Sequence, residues 1–288
     1  MKPASFELLE PTTRDEALSM LAQQPEDTVI LAGGQSLVPL MNMRFVVAER
    51  VLDLNRVTAL DQIEHQDGRL AVGAMTRHRV VELSPLVHHA CPLLAEAEHH
   101  VGYVSIRHRG TVGGSIAHAD TVAQVPCVAV ALDAQVMLES TRGARQLVAS
   151  EFFLGNLVNA REPDELVTAV HFPAQSPNSG WGFAEFARKV GDFPLVTAAV
   201  QLEHDAGHCS GARIAVGGAA PTPIRLPECE GALVGGTLDD SLVSEAAGLA
   251  AECVTPAESP SVSSEYRRHL VGVVVQQALR RALKADEE

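Results

Sequence analysis

Two glycine pairs are the parts of this chain best suited to chemistry: Ala32-Gly33-Gly34-Gln35-Ser36-Leu37 and Thr111-Val112-Gly113-Gly114-Ser115. The first leaves the apolar run Thr28–Leu31, the second leaves a turn, and both continue into small residues with hydroxyls or amides. Glycine lets successive backbone N–H groups converge and lets a phosphate approach where a Cβ would stand. Neither segment contains Lys or Arg, so a diphosphate there is expected to be held by amides, hydroxyls and a helix N-terminus, not by ion pairs. Either pair alone is better explained by a tight turn. Two of the same kind favour two halves of one dinucleotide cradle. No G-x-G-x-x-G opens a helix after a strand and no G-x-x-x-x-G-K-[ST] occurs, which argues against a Rossmann site and a P-loop.

Other chemistry is less well supported by spacing. His88, His89, His99 and His100 come as adjacent pairs, His108 and His118 stand alone, and no H-E-x-x-H occurs. Neighbours on a helix cannot both face one centre, so the histidines read as solvated or core residues and no metal site is expected. Cys91, Cys127, Cys209, Cys229 and Cys253 lack C-x-x-C spacing, so neither a disulfide framework nor a cysteine-held cluster is indicated. A formal net charge of −14 argues against nucleic-acid and anionic-membrane surfaces. The N-terminus has no charged leader before an apolar stretch, and no segment is long and apolar enough to span a bilayer. A cytoplasmic location is expected.

The elements that must carry these residues follow from pattern. At 288 residues with 46% hydrophobic and only 4% aromatic side chains, the chain can build two or three units with aliphatic cores. Phe6–Leu9 reads as a strand, and Thr13-Arg14-Asp15-Glu16 as a capping box opening a helix that Pro25 ends. Thr28–Leu31 reads as a buried strand before the first glycine pair, Leu37–Leu40 as a short helix, and Val51–Leu54 as a further strand. A hairpin is expected around Gln66-Asp67-Gly68. Helices follow, one capped by Thr76 near 77–83 and one starting at Pro92, and Val122–Leu132 reads as a buried helix. Strands are expected at Val136–Leu138 and Leu166–Val170. From about residue 178, Trp181–Phe186, Leu195–Leu202 and Ala212–Val216 suit an antiparallel sheet, closed by helices over Glu245–Cys253 and Tyr266–Lys284 with a Pro/Ser-rich loop, Thr255–Ser264, between them.

With both pairs placed, three segments in order carry a resemblance: Ala32–Leu37, Ile106-Arg107-His108-Arg109-Gly110-Thr111-Val112-Gly113-Gly114-Ser115-Ile116-Ala117-His118-Ala119-Asp120, and Arg188-Lys189-Val190-Gly191-Asp192-Phe193. Over essentially its full length the chain resembles the FAD-binding medium subunit of the molybdenum hydroxylase (xanthine dehydrogenase / carbon monoxide dehydrogenase) family. The resemblance implies an α+β architecture: a vanillyl-alcohol-oxidase-like (PCMH-type) FAD-binding fold of two subdomains, 1–57 and 58–176, plus a C-terminal domain, 177–288, of a three-stranded antiparallel sheet with helices. It implies noncovalent FAD, with Ala32, Gly33, Gly34, Gln35, Ser36 and Leu37 wrapping the diphosphate and Thr111, Val112, Gly113, Gly114 and Ser115 completing the cradle. Ala119, Asp120 and Gln124 would lie in the flavin pocket, and Lys189, Asp192 and Phe193 would bring the third domain over the isoalloxazine. Ser115 stands where many members carry Asn, Gln124 where many carry an acid, and Phe193 where Tyr is frequent.

By the same resemblance the chain is the electron-exit subunit of a heterotrimer, grouped as a dimer of heterotrimers. A small subunit would carry two-iron two-sulfur clusters and a large subunit the molybdenum cofactor. No catalytic acid or base is demanded of this chain, because the flavin supplies the chemistry and the protein binds and orients it. The favoured substrate class for the complex is an N-heteroaromatic. Two other readings stand beside it, a free-standing flavin-dependent oxidoreductase and a non-enzymatic nucleotide-binding scaffold.

Overall fold

The computed structural model describes residues 2–176, 179–205, 207–259 and 262–284. The expected boundaries at residues 1, 177 and 288, and part of the loop expected over 255–264, fall outside them.

The first sheet is parallel. Strands β1 (Glu7–Leu9), β2 (Thr28–Leu31) and β3 (Arg50–Asp53) lie in the order β1-β3-β2, with Arg50 opposite both Glu7 and Thr28. Helix α1 (Arg14–Gln23) crosses from β1 to β2 and buries Ala17, Leu18 and Leu21 against Leu52, Leu54, Met75 and Leu166. Its cap is close to the expected box: the Thr13 hydroxyl accepts from Glu16 N–H at 3.2 Å, but the Glu16 carboxylate accepts from Thr12 N–H at 2.8 Å, one residue earlier. Helix α2 (Leu37–Asn42) follows the first glycine pair. Leu54, expected to end the third strand, lies in a 3-10 turn, where the Asp53 carboxylate accepts from Asn55 N–H at 2.9 Å.

The second sheet is antiparallel, in the order β4-β5-β10-β6-β7, built from β4 (Ile63–Gln66), β5 (Arg69–Gly73), β6 (Gln135–Ser140), β7 (Gly143–Val148) and β10 (Leu166–Pro173). Strands β8 (Phe153–Gly155) and β9 (Val158–Asn159) form a separate small pair. Asp67 and Gly68, both at positive φ, make the two-residue turn that Asp-Gly encodes. Helices α3 (His78–Leu83), α4 (Pro85–Ala90), α5 (Pro92–His100), α6 (Val104–Arg107), α7 (Val112–His118), α8 (Gln124–Ala131) and α9 (Ala149–Phe152) accompany this sheet. Thr76 does not cap α3. Arg77 holds the cap position without a side-chain capping bond, and the Thr76 hydroxyl reaches only the Gln62 carbonyl, at 3.5 Å.

The third sheet, β11-β12-β13-β14, is antiparallel: three long strands, β11 (Ser179–Phe186), β12 (Val196–Asp205) and β13 (His208–Gly217), with two-residue β14 (Ile224–Arg225) at the edge. Helices α10 (Pro227–Leu233), α11 (Asp240–Glu252) and α12 (Ser264–Lys284) pack with it. α12 rests directly on β11, because a Cβ on Gly180 or Gly182 would collide with the Ala282 or Ala278 carbonyl. Every residue of α8 is buried. Its core runs unbroken from Leu70 and Val170 of the second sheet to Phe183, Ala199 and Ala215 of the third. Among the described residues no helix is long and apolar enough to cross a membrane.

Candidate glycine cradle

The two glycine pairs meet. Residues 32–36 leave β2 as a loop in which Gly34 takes a left-handed φ of 73° and its carbonyl accepts from Val38 N–H at 3.1 Å, starting α2. Gly33 lies against Arg109 and Gly110, so closely that a Cβ there would collide with the Arg109 carbonyl oxygen. A Cβ on Gly114 would stand 3.5 Å from the Ala32 Cβ. Ala32, Gly33, Arg109, Gly110 and Gly114 therefore form one contact between elements of two different sheets.

The halves of this contact differ in what they offer a ligand. In the first, the backbone N–H groups of Gly33, Gly34, Gln35 and Ser36 have no hydrogen-bond acceptor among the described residues. Gln35 Nε2 donates to the Gly33 carbonyl at 3.1 Å, and Ser36, at the cap position of α2, makes no capping bond. Such a run of half-buried donors needs water or a ligand to satisfy it.

In the second half, the expected loop Thr111–Ser115 is the opening turn of α7. Glycine has poor helix propensity, yet tertiary contact fixes Gly113 and Gly114 in the helix. Thr111 caps it, its hydroxyl accepting from Gly114 N–H at 3.1 Å. The N–H groups of Val112, Gly113 and Ser115 are committed to the carbonyls of Thr76, Ala74 and Thr111 at 3.1, 2.9 and 3.0 Å. A Cβ on Gly113 would collide with Ala74. What this half presents is close packing and the Ser115 hydroxyl, which has no partner among the described residues.

Two further candidates lie at the far end of α7. Ala119, buried at a left-handed φ of 55°, ends α7, and Asp120 accepts from Val122 N–H at 3.1 Å in a tight turn. The loop holding Lys189, Asp192 and Phe193 turns on itself: Lys189 O accepts from Asp192 N–H at 3.2 Å, and the Asp192 carboxylate accepts from Phe193 N–H at 3.0 Å. Gly191 seats this loop on Tyr103, whose ring lies 2.7 Å from where a Cβ would be. Tyr103 caps α6, so the third loop rests on the start of the segment that leads to Thr111. Phe193 is 73% exposed and Val190 92%, an apolar pair open to a ligand or partner.

Gln124 is placed differently. It is buried, and its amide donates to the Glu185 carboxylate at 2.8 Å and to the His100 carbonyl at 3.2 Å, in the seam between the second and third sheets. His100 lies 3.4 Å from Glu96 and 3.5 Å from Glu185. Burial alone would push the imidazole down, but its bonds to Glu185 and Glu96 outweigh this and raise it to about 9. An amide at 124 is the group that a carboxylate at 185 requires.

Four residues of the site gave no signal in the sequence. Arg77 donates through Nη2 to Asn55 Oδ1 at 2.7 Å and through Nη1 to the Arg109 carbonyl, and Asn55 Nδ2 donates to the Ala32 carbonyl at 3.1 Å. Burial and then the Arg109 guanidinium hold Arg77 below the usual arginine range. Behind Gly110, the buried His78 ring abuts the loop, its Nδ1 2.7 Å from the wholly buried Glu98 carboxylate. Elsewhere His99 meets the Glu82 carboxylate at 3.0 Å and His88 the Glu82 carbonyl at 2.8 Å. Among the described residues no group of three or more His, Cys, Asp or Glu is arranged to hold a metal. Burial pushes the Cys91 and Cys127 thiols up to about 12, leaving them inert.

The chain is similar to known proteins over nearly its whole length. The family model described as the FAD binding domain in molybdopterin dehydrogenase covers residues 4–175, and that of the CO dehydrogenase flavoprotein C-terminal domain covers residues 181–282. The 6-hydroxypseudooxynicotine dehydrogenase complex subunit alpha of Paenarthrobacter nicotinovorans is 38% identical over 98% of this chain and 96% of its own. Among solved structures, carbon monoxide dehydrogenase from Hydrogenophaga pseudoflava superposes with a TM-score of 0.95 at 35% identity, covering 99% of both chains. Quinoline 2-oxidoreductase from Pseudomonas putida 86 gives 0.94 at 35% identity, covering 100% of this chain and 99% of that one.

Proposed function

The chain belongs to the family of FAD-binding medium subunits of molybdenum hydroxylases, and from that premise we propose that residues 32–37 and 111–115 hold the FAD diphosphate between them. The carrying observation is the run of four N–H groups, Gly33 to Ser36, without an acceptor in the chain. They fit a dianionic diphosphate, while Ser36 and Ser115 add hydroxyls and the tight Gly33–Gly110 contact fixes the width. Residues 32–37 and 111–115 include no Lys or Arg, so what these two segments themselves offer the diphosphate is fixed dipoles and hydroxyls instead of mobile charges. Bound there, FAD supplies redox chemistry that exchanges electrons one or two at a time. The chain's own part is to bind, to orient and to exclude water. Lys189, Asp192 and exposed Phe193, in the loop that Gly191 seats on Tyr103, would cover the flavin, and Ala119 and Asp120 would line its pocket beside α7. Gln124 acts through the Glu185 seam, which sets how the third sheet meets the second.

The subunit works in a multi-subunit oxidoreductase. We further propose the finer arrangement: units 1–57, 58–176 and 177–288, a small iron–sulfur subunit delivering electrons and a large molybdenum subunit holding the substrate, assembled as a dimer of heterotrimers in the cytoplasm. An N-heteroaromatic substrate is favoured because two of the similar proteins are named for 6-hydroxypseudooxynicotine and quinoline. The test is direct. The purified chain reconstituted with FAD is expected to be yellow, to release its flavin on acid or heat, and to hydroxylate nothing, whereas the complex couples hydroxylation to reduction of an artificial acceptor. A colourless chain, or flavin retained after denaturation, refutes the noncovalent site. Undiminished acceptor reduction by a complex stripped of FAD refutes the electron-exit role.

A further inference from the structure

The two glycine segments arrive from different sheets, and among the described residues no main-chain hydrogen bond joins residues 32–37 to residues 109–115. Van der Waals contact at Gly33, Gly110 and Gly114 sets how near they can come, but contact alone does not set register or tilt. One polar path does connect them. It runs from the Ala32 carbonyl to Asn55 Nδ2, from Asn55 Oδ1 to Arg77 Nη2, and from Arg77 Nη1 to the Arg109 carbonyl. The amide cannot be reversed, since a guanidinium only donates and a carbonyl only accepts. Asp53 fixes it further by accepting from both the Asn55 main-chain N–H, at 2.9 Å, and its side chain. The backbone of Arg77 is itself pinned beside the second segment: Val112 N–H donates to Thr76 O and His78 N–H to Gly110 O, both at 3.1 Å. The guanidinium thus leaves a fixed point and grips one acceptor on each side.

We infer that Arg77, acting through Asn55, is the positioning residue that holds the two glycine segments at the spacing the FAD diphosphate requires. The role rests on the flavin reading above, and it is geometric. Two divergent N–H groups on a rigid plane are needed, so a lysine, which keeps the charge but offers a point donor, cannot replace it. Arg77 and Asn55 also act as a single path, so losing either breaks the whole.

The test uses the full chain stripped of FAD, titrated with FAD by quenching of flavin fluorescence, alongside thermal unfolding of the flavin-free form. Arg77→Met, Arg77→Lys and Asn55→Leu are each expected to raise the Kd for FAD by about tenfold or more, equivalent to about 1.4 kcal/mol. The Arg77→Met/Asn55→Leu double variant should be no weaker than the weaker single. Phosphorus NMR of the bound diphosphate should shift in Arg77→Lys. Wild-type affinity in the folded single variants, or additive losses in the double variant, overturns the inference, as does lowered thermal stability with unchanged affinity. If Arg77→Met does not fold, Arg77→Lys and Asn55→Leu carry the same comparison. A wild-type chain that binds no FAD would instead sink the flavin reading itself, whereas wild-type binding with unaltered variants sinks only the clamp.

Discussion

Gly33 has no room for a side chain, because the Arg109 carbonyl stands where a Cβ would be. Gly33→Ala should therefore push the segments apart, lowering stability by about 1–3 kcal/mol and weakening FAD binding. Gly114→Ala is tight only against the Thr111 hydroxyl, at 2.8 Å, with Ala32 at ordinary contact distance; moving that hydroxyl costs the α7 cap but no backbone shift, so its effect should be smaller. Equal FAD affinities for wild type and Gly33→Ala, measured by flavin fluorescence, would rule out a rigid contact. At Gln124 the expected change has the opposite chemistry. Gln124→Glu places a carboxylate against Glu185, now 2.8 Å from the amide, and should cost on the order of 2 kcal/mol at neutral pH. One of two facing carboxyls protonates readily, so the deficit in urea midpoint should shrink as pH falls; a deficit constant with pH argues against charge repulsion. The glycine pairs were legible in the sequence because their chemistry is local to a few consecutive residues. Arg77, Asn55, His78 and Glu98 were not, since each matters through partners many positions away, and nothing in their spacing marks them.

At the scale of elements, the seam formed by α5, α8 and β11 carries a titration. His100 there is raised to about 9 from its ordinary 6.5, so the folded form holds the proton more tightly than the unfolded chain. Its pairing with Glu96 and Glu185, with Arg281 also facing Glu96 at 3.8 Å, contributes fully below about pH 6.5 and is lost as pH rises through about 9. Wild type should lose stability across that interval and His100→Gln should lose much less, read as urea midpoints at several pH values. Parallel slopes would mean that the seam is not charged. The long elements were readable because burial leaves a clear apolar pattern, as in α8 and β12. Strand β7, Gly-Ala-Arg-Gln-Leu-Val, was missed because it is a mostly exposed edge strand with little apolar alternation. Helix α7 was read as a loop because its two glycines have poor helix propensity, and contact with Ala74 overrides it.

For the whole molecule, fold class and family were legible because three short segments in fixed order span the chain, whereas the way the units grip one another was not. The second and third sheets share one core through α8, but the first sheet keeps a smaller core of its own, joined by Met75 and Leu166. Across the glycine contact, no main-chain hydrogen bond among the described residues joins residues 32–37 to residues 109–115. A diphosphate bound to the amides of residues 33–36 and held against α7 would then act as a removable cross-link between separately stabilised bodies. The cofactor's residence time becomes the opening time of that boundary. In amide hydrogen exchange, FAD should slow β2 and β3 far more than β12, which is locked into the shared core. Uniform slowing throughout the chain would mean that the flavin stabilises one indivisible body, and its escape would then require unfolding of the entire subunit.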